Sequence, residues 1–307
     1  MCVKVFSIFF SLLLLISVFP MLFALPNNYK VATDKAVNYL VLNYNETVGL
    51  ISETVNGSTF WLYSDNFLAS LVLLYYDESN LTCTRIGSIV SQKLEYYLGK
   101  YNVKAYSKYN VLCKEDLVAF NSGLNFTLED SVKVDLNNGT SPLNPSEYGD
   151  VAFLMALYYY RRGDLKKATD YFNIGAGMYD GIGINDIAFK KGESKGIYQT
   201  YKLALFYLAG YVLGYSVPDN VINRILSLQA SNGGFYTGYY PNGTIPEAVV
   251  TNTETTALAV YALSPQIARK LFSSHINLEP FLSLACTIVF VLFIATVLVI
   301  FIKRIKF

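Results

Sequence analysis

The chain has 307 residues, a formal net charge of +1, 53% hydrophobic residues and 26 tyrosines. A near-neutral chain without a long basic run has no electrostatic footprint for nucleic acid, and that class of partner is set aside. A single histidine, His275, removes the Ser/His and zinc-centred enzymes, since no His/Cys cluster has zinc-ligand spacing.

In chain order, Lys4 followed by the apolar run Phe6 to Phe19, with Ala24 before Leu25-Pro26, predicts a secretory signal over 1–25, cleaved or kept as an anchor. The body follows from 26 to 274. Val37, Leu40, Val41 and Tyr44 fall on one helical face. Tyr63-Ser64-Asp65-Asn66 then heads a nearly all-apolar run to Tyr76, and Ile86, Ile89, Val90 and Leu94 make a second one-sided stripe. The same alternation returns three times. Tyr148-Gly149-Asp150 heads a run to Tyr160, followed by the stripe Leu165, Ala168, Phe172, Ala176; Tyr198-Gln199-Thr200 heads Lys202 to Tyr211, followed by Pro218-Asp219, Val221, Ile225 and Leu228; Thr251-Asn252-Thr253-Glu254 heads Ala257 to Leu263. The last two intervals are about fifty residues, a period that marks a repeated supersecondary unit.

Half-buried helices alternating with fully buried ones predict a mainly α fold, an α/α toroid of helical hairpins forming a complete or open ring. An α-solenoid is the competing architecture, with a shorter period and similarly amphipathic helices. The first interval is longer by an insertion, about 101–142. Within it Ser131 to Leu136 alternates polar and apolar before Asn137-Asn138-Gly139, predicting a strand and a tight turn.

After a juxtamembrane stretch at 275–280, Phe281 to Ile302 is apolar without interruption, about 22 residues and long enough to cross a bilayer. Lys303, Arg304 and Lys306 in the tail 303–307 place that end inside and the body outside the cell membrane. Six Asn-x-Ser/Thr triplets, at Asn45, Asn56, Asn80, Asn125, Asn138 and Asn242, suit an extracellular glycoprotein. Cys2 falls in the signal and Cys286 in the span, which leaves Cys83 and Cys113 as an expected disulfide pinning the insertion to the ring.

Two glycine- and aromatic-rich links join later helices, Gly175 to Gly183 and Gly233 to Tyr240. The stretch Leu228-Gln229 to Gly233-Gly234-Phe235, followed by Asn252-Thr253-Glu254-Thr255-Thr256, resembles the Gln-x-x-x-Gly-Gly-Phe repeat of terpenoid cyclases, prenyltransferases and related α/α-toroid proteins. The resemblance implies the fold. It does not carry isoprenoid chemistry with it, because the chain lacks the cyclase Asp-x-Asp-Asp motif and the Asp, Cys and His of the prenyltransferase zinc site.

Gly192-Glu193-Ser194-Lys195-Gly196 matches a nucleophile elbow in pattern only, having no strand before it and no ring histidine to serve it. Carboxylates and tyrosines remain, and two facing carboxylates suffice for glycosidic hydrolysis. Parallel inner helices would gather Asp65, Asp150 and Glu254 at one mouth with the loop residue Asp180, and Trp61, Tyr63, Tyr148, Tyr198 and Tyr201 beside them. The general resemblance there is to six-hairpin glycosidases. The chain is accordingly expected to be a membrane-tethered extracellular toroid that binds or hydrolyses carbohydrate, with no cofactor or metal. The alternatives are a non-catalytic surface glycoprotein, serving as envelope scaffold or binding another envelope protein, and an isoprenoid- or lipid-binding toroid. In either alternative Ser64, Asp65, Asp150, Thr251 and Thr253 simply cap helices, Thr251 and Glu254 forming a capping box.

Overall fold

A computed structural model describes residues 27–55, 57, 61–101, 105–106, 108–112, 124–127, 131–136, 143–192 and 196–272. The signal segment, the 281–302 span, Cys113, Asn56, Asn138 and the centre of the Gly192–Gly196 motif lie outside them. Among the described residues no helix is long and apolar enough to cross a membrane.

The fold is mainly helical, with small sheets. Helix α1 (Asn27–Leu42) buries Ala32, Ala36, Val37 and Leu40 along one face. It is followed by α2 (Tyr63–Tyr75) and α3 (Leu81–Tyr101), then α4 (Gly149–Arg161) and α5 (Leu165–Ala176), and a short α6 (Ile187–Lys191). Next come α7 (Thr200–Leu213) with α8 (Asp219–Ser227), and α9 (Thr253–Leu263) with α10 (Pro265–Phe272). Helices α2, α4, α7 and α9 are the polar-headed apolar runs, and each is buried over most of its length. Helices α3, α5 and α8 each bury one face, with Ile86, Val90 and Leu94, Ala168 and Phe172, and Val221 and Ile225 of the expected stripes inside, while Leu165 at the start of the α5 stripe is 60% exposed. Helix α10 was hidden from the sequence reading, because Pro265 opens it directly after Ser264 ends α9.

The buried helices touch in the order α2, α9, α7, α4. Between α4 and α2 lies a 3-10 turn, Lys108–Leu112, which packs on both. Tyr109 and Leu112 of that turn are completely buried, and the Leu112 carbonyl accepts from Arg161 at the C-terminal end of α4. The insertion therefore supplies a wall of the core as well as a surface excursion.

Its strands explain how it gets there. Strands β1 (Tyr44–Asn45) and β2 (Leu50–Ile51) form a small hairpin, and β3 (Trp61–Leu62) runs straight into α2. In the insertion, β4 (Ala105–Tyr106) and β5 (Leu124–Thr127) both pair antiparallel with β6 (Val132–Leu136), while β3 pairs parallel with β6 at Trp61 and Val132. The strand expected at 131–136 is thus the centre of a four-stranded sheet joined to the head of α2. A last pair, β7 (Tyr198–Gln199) with β8 (Gly238–Tyr239), links the head of α7 to the loop after α8.

The Gln-x-x-x-Gly-Gly-Phe segment works as a clasp between distant parts of the chain. Gln229 donates from Nε2 to the carbonyls of Ala32 (2.8 Å) and Gly233 (2.9 Å). Phe235 is fully buried, and its N–H donates to Thr256 Oγ1 of α9. Gly233 has φ +91°, and a Cβ there would come within 2.4 Å of the Lys35 carbonyl, so glycine is required for the loop to lie on α1.

Cys83 is buried on α3 as a free thiol whose ionisation burial disfavours. Its expected partner, Cys113, is outside the described residues, so the pairing is not seen.

Candidate functional site

The heads of α2, α4, α7 and α9 converge at one end. Three of them start without any side-chain cap, at Leu62, Tyr148 and Gln199. Only α9 is capped by its own flank, through Asn252, which accepts from the Thr255 N–H (2.9 Å). The expected Thr251–Glu254 capping box does not form: Thr251 lies outside the helix with its hydroxyl accepting from Asn232, and Glu254 accepts from Tyr109. Asp65 and Asp150, in the first turns of α2 and α4, do not cap their helices either. The Asp150 carboxylate sits near positive helix dipole ends, which favour its charge.

Lys108 and Tyr109 join these heads. Lys108 Nζ donates to Asp150 Oδ2 at 2.9 Å, and Tyr201 of α7 donates to the same oxygen at 3.1 Å. Tyr109 donates to Glu254 Oε1 on α9. Asp65 is 2% exposed; Ser64 Oγ donates to its Oδ1 (3.2 Å), and Oδ2 has no hydrogen-bond partner. A second layer lies behind Asp150: Lys202 of α7 and Asp186, both buried, meet at 2.5 Å. Asp186 Oδ2 also accepts from the Gly149 N–H, and its Oδ1 from those of Ala188 and Phe189. Asp186 thereby caps α6 and supplies the tertiary cap that the head of α4 lacks locally.

The electrostatics divide the carboxyls. Burial, reinforced by the charges of Glu254 and Glu53, pushes Asp65 well above the usual carboxylate range. Glu53 is raised for the same reasons, burial first and then Glu254. Asp150 goes the other way. Burial would raise it, but Lys108 and Lys202 with the bonds from Lys108 and Tyr201 hold it at about 2. Burial alone would lower the Lys108 ammonium, yet Asp150, Tyr109 and Glu254 keep it well above its ordinary value.

Asp65, Asp150, Glu254 and Tyr201 are thus brought into one cluster. Asp180 is not part of it; its bonds come from Ile182 and Gly183 N–H, Asn185 and Tyr198, and they order the Gly181–Gly183 loop. Tyr198 is buried, stacked on Phe189 with ring centroids 4.0 Å apart. Trp61 and Tyr63 are buried core residues, and Tyr148 is half-buried at the head of α4. The sequence reading missed Lys108, Tyr109, Glu53, Asp186 and Lys202. Lys202 had a signal, a lysine inside an apolar helix. Lys108 and Tyr109 had none, because no periodicity links the insertion to the helix heads.

Among the described residues no group of His, Cys, Asp or Glu is arranged to hold a metal ion. No family model, curated protein or solved structure matches the chain.

Proposed function

We propose that the chain is a membrane-tethered, extracellular α/α-toroid glycoprotein that binds carbohydrate without cleaving it. The observation that carries this reading is the filling of the mouth by the chain's own Lys108 and Tyr109. Tyr109 is 0% exposed, Asp150 6% and Asp65 2%; Asp150 and Glu254 are bonded to the chain's own Lys108, Tyr201 and Tyr109, and Asp65 is closed off from solvent, which argues against a glycosidic oxygen and a water held between these carboxyls. The contact order of α2, α9, α7 and α4, completed by the 3-10 turn, is what an open ring of hairpins closed by its insertion would give. The sequence supports the tether through the apolar segment 281–302 and its basic tail. Asn45, Asn80 and Asn242 are exposed, each with its Oδ1 accepting from nearby backbone N–H groups, which suits glycan attachment at these positions. An array of neutral and acidic oligosaccharides probed with the full-length chain in nanodiscs tests the reading. Retention of a saccharide class is expected, and an array without binding rejects it.

One observation favours a hydrolase instead: burial and like charge disfavour ionisation of Asp65 while Lys108 and Lys202 favour it at Asp150, and carboxyls pushed in opposite directions are the split that acid/base catalysis uses. That reading requires the Lys108–Tyr109 turn to withdraw. It predicts product release by the wild-type chain that Asp65→Asn and Asp150→Asn each abolish.

A further inference from the structure

Beside the mouth, three loops border an open cleft of about 410 Å³, a volume within the range of small-molecule sites. It is bounded by Thr54 and Val55 after β2, by Ser231, Asn232 and Tyr236 of the clasp, and by Val250 with its neighbours before α9. We propose that this cleft, and not the carboxylate mouth, is where the protein holds a neutral saccharide; the inference rests on the carbohydrate-binding reading above and locates its site.

The wall chemistry selects the ligand. Among the described residues no charged side chain lines the cleft, so an ionised ligand would lose water without gaining a counter-charge. Val55 and Val250 are each 53% exposed and present apolar surface, with Tyr236 half-buried beside them. The same lining includes the hydroxyl-bearing Thr54 and Ser231 and the amide-bearing Asn232. A sugar ring has this same division, C–H faces for the apolar and aromatic wall and hydroxyls for the amide and hydroxyl groups. A hydrocarbon ligand would leave the polar half unpaired.

The site is also held in shape before any ligand arrives. Asn232 Oδ1 accepts from the Gly234 N–H (3.0 Å), and its Nδ2 donates to Thr251 Oγ1 (3.2 Å), which fixes the amide while leaving its second hydrogen for a ligand. Tyr236 and Thr251 are bridged as short antiparallel neighbours, and the Gln229 clasp ties this loop to α1. Ordering costs are thus met in the fold, which favours binding.

The test uses the full-length chain in nanodiscs and a matched panel of neutral tetrasaccharides, their uronic-acid counterparts and a soluble polyisoprenoid. Val250→Arg fills the cleft from an exposed position, and its fold is checked by circular dichroism. The wild type should retain neutral saccharides, Val250→Arg should weaken them tenfold or more, and Asn232→Ala should weaken them too. Asp65→Asn, in the mouth, should bind as wild type does. Wild-type binding unchanged by Val250→Arg overturns the cleft as the site while leaving the carbohydrate reading intact. Preference for the acidic saccharides or the isoprenoid overturns the ligand chemistry, and no retention of any saccharide overturns both.

Discussion

Asp65 is the residue whose chemistry most constrains the mouth. It is buried, its Oδ2 has no partner, and Glu53 and Glu254 add like charge. A carboxyl raised in the folded state binds its proton more tightly there than in the unfolded chain. Its stabilising effect is complete below the unfolded value of about 3.9 and is lost as pH rises through the folded value. Asp65→Asn removes the buried ionisable group and should therefore raise unfolding free energy at pH 8, by roughly 1–3 kcal/mol on the scale of a desolvated polar or charged group, and flatten the fall in stability as pH rises above about 4. Denaturant melts at both pH values check this; a loss of stability at pH 8 would count against it. Asp150 has the opposite sign. Held at about 2, it contributes stability above about pH 4 that disappears as pH falls towards 2. That contribution is about 2–3 kcal/mol for a shift of this size, and acid melts of Asp150→Asn should lack the step. The echo of polar helix heads made Asp65, Asp150 and Glu254 legible in sequence. Their partners were not, since Tyr109 meets Glu254 across 145 positions and only the folded insertion brings them together.

The elements show why the helices were readable and the junctions were not. Apolar spacing reports burial directly, so α2, α4, α7 and α9 and the stripes of α3, α5 and α8 stood out by period alone. Strand β6 was readable from alternation, but its parallel partner β3 has two residues and no pattern to recognise. The Gln-x-x-x-Gly-Gly-Phe segment was legible as a motif, while its mechanical role, docking the end of α8 on α1, depends on a contact 197 positions away. Gly233→Ala tests that role, because it places a side chain at φ +91° and against the Lys35 carbonyl. The expected cost is about 1–3 kcal/mol from backbone strain. Amide hydrogen exchange should show α1 opening before the rest of the fold. Uniform loss of protection, with α1 no weaker than α9, would show that the clasp is not what holds α1.

At the scale of the whole molecule, the insertion completes the packing of the buried helices. Four buried helices with converging heads leave a gap between α4 and α2, and the turn Lys108–Leu112 fills it from the Asp150 end to the Arg161 end. Tyr109→Ala should destabilise the protein by about 3–5 kcal/mol, the range for deleting a large buried ring, as measured by urea unfolding. A change under 1 kcal/mol would mean that the turn merely rests on the helices. On the proposed reading, the carboxyls serve the fold and the neighbouring cleft of Asn232, Tyr236 and Val250 takes the ligand. The most direct test is mass spectrometry of a bound oligosaccharide recovered after prolonged incubation with the full-length wild-type chain. Recovery at its original length is the predicted result; shortened products that vanish in Asp65→Asn and Asp150→Asn would contradict the account.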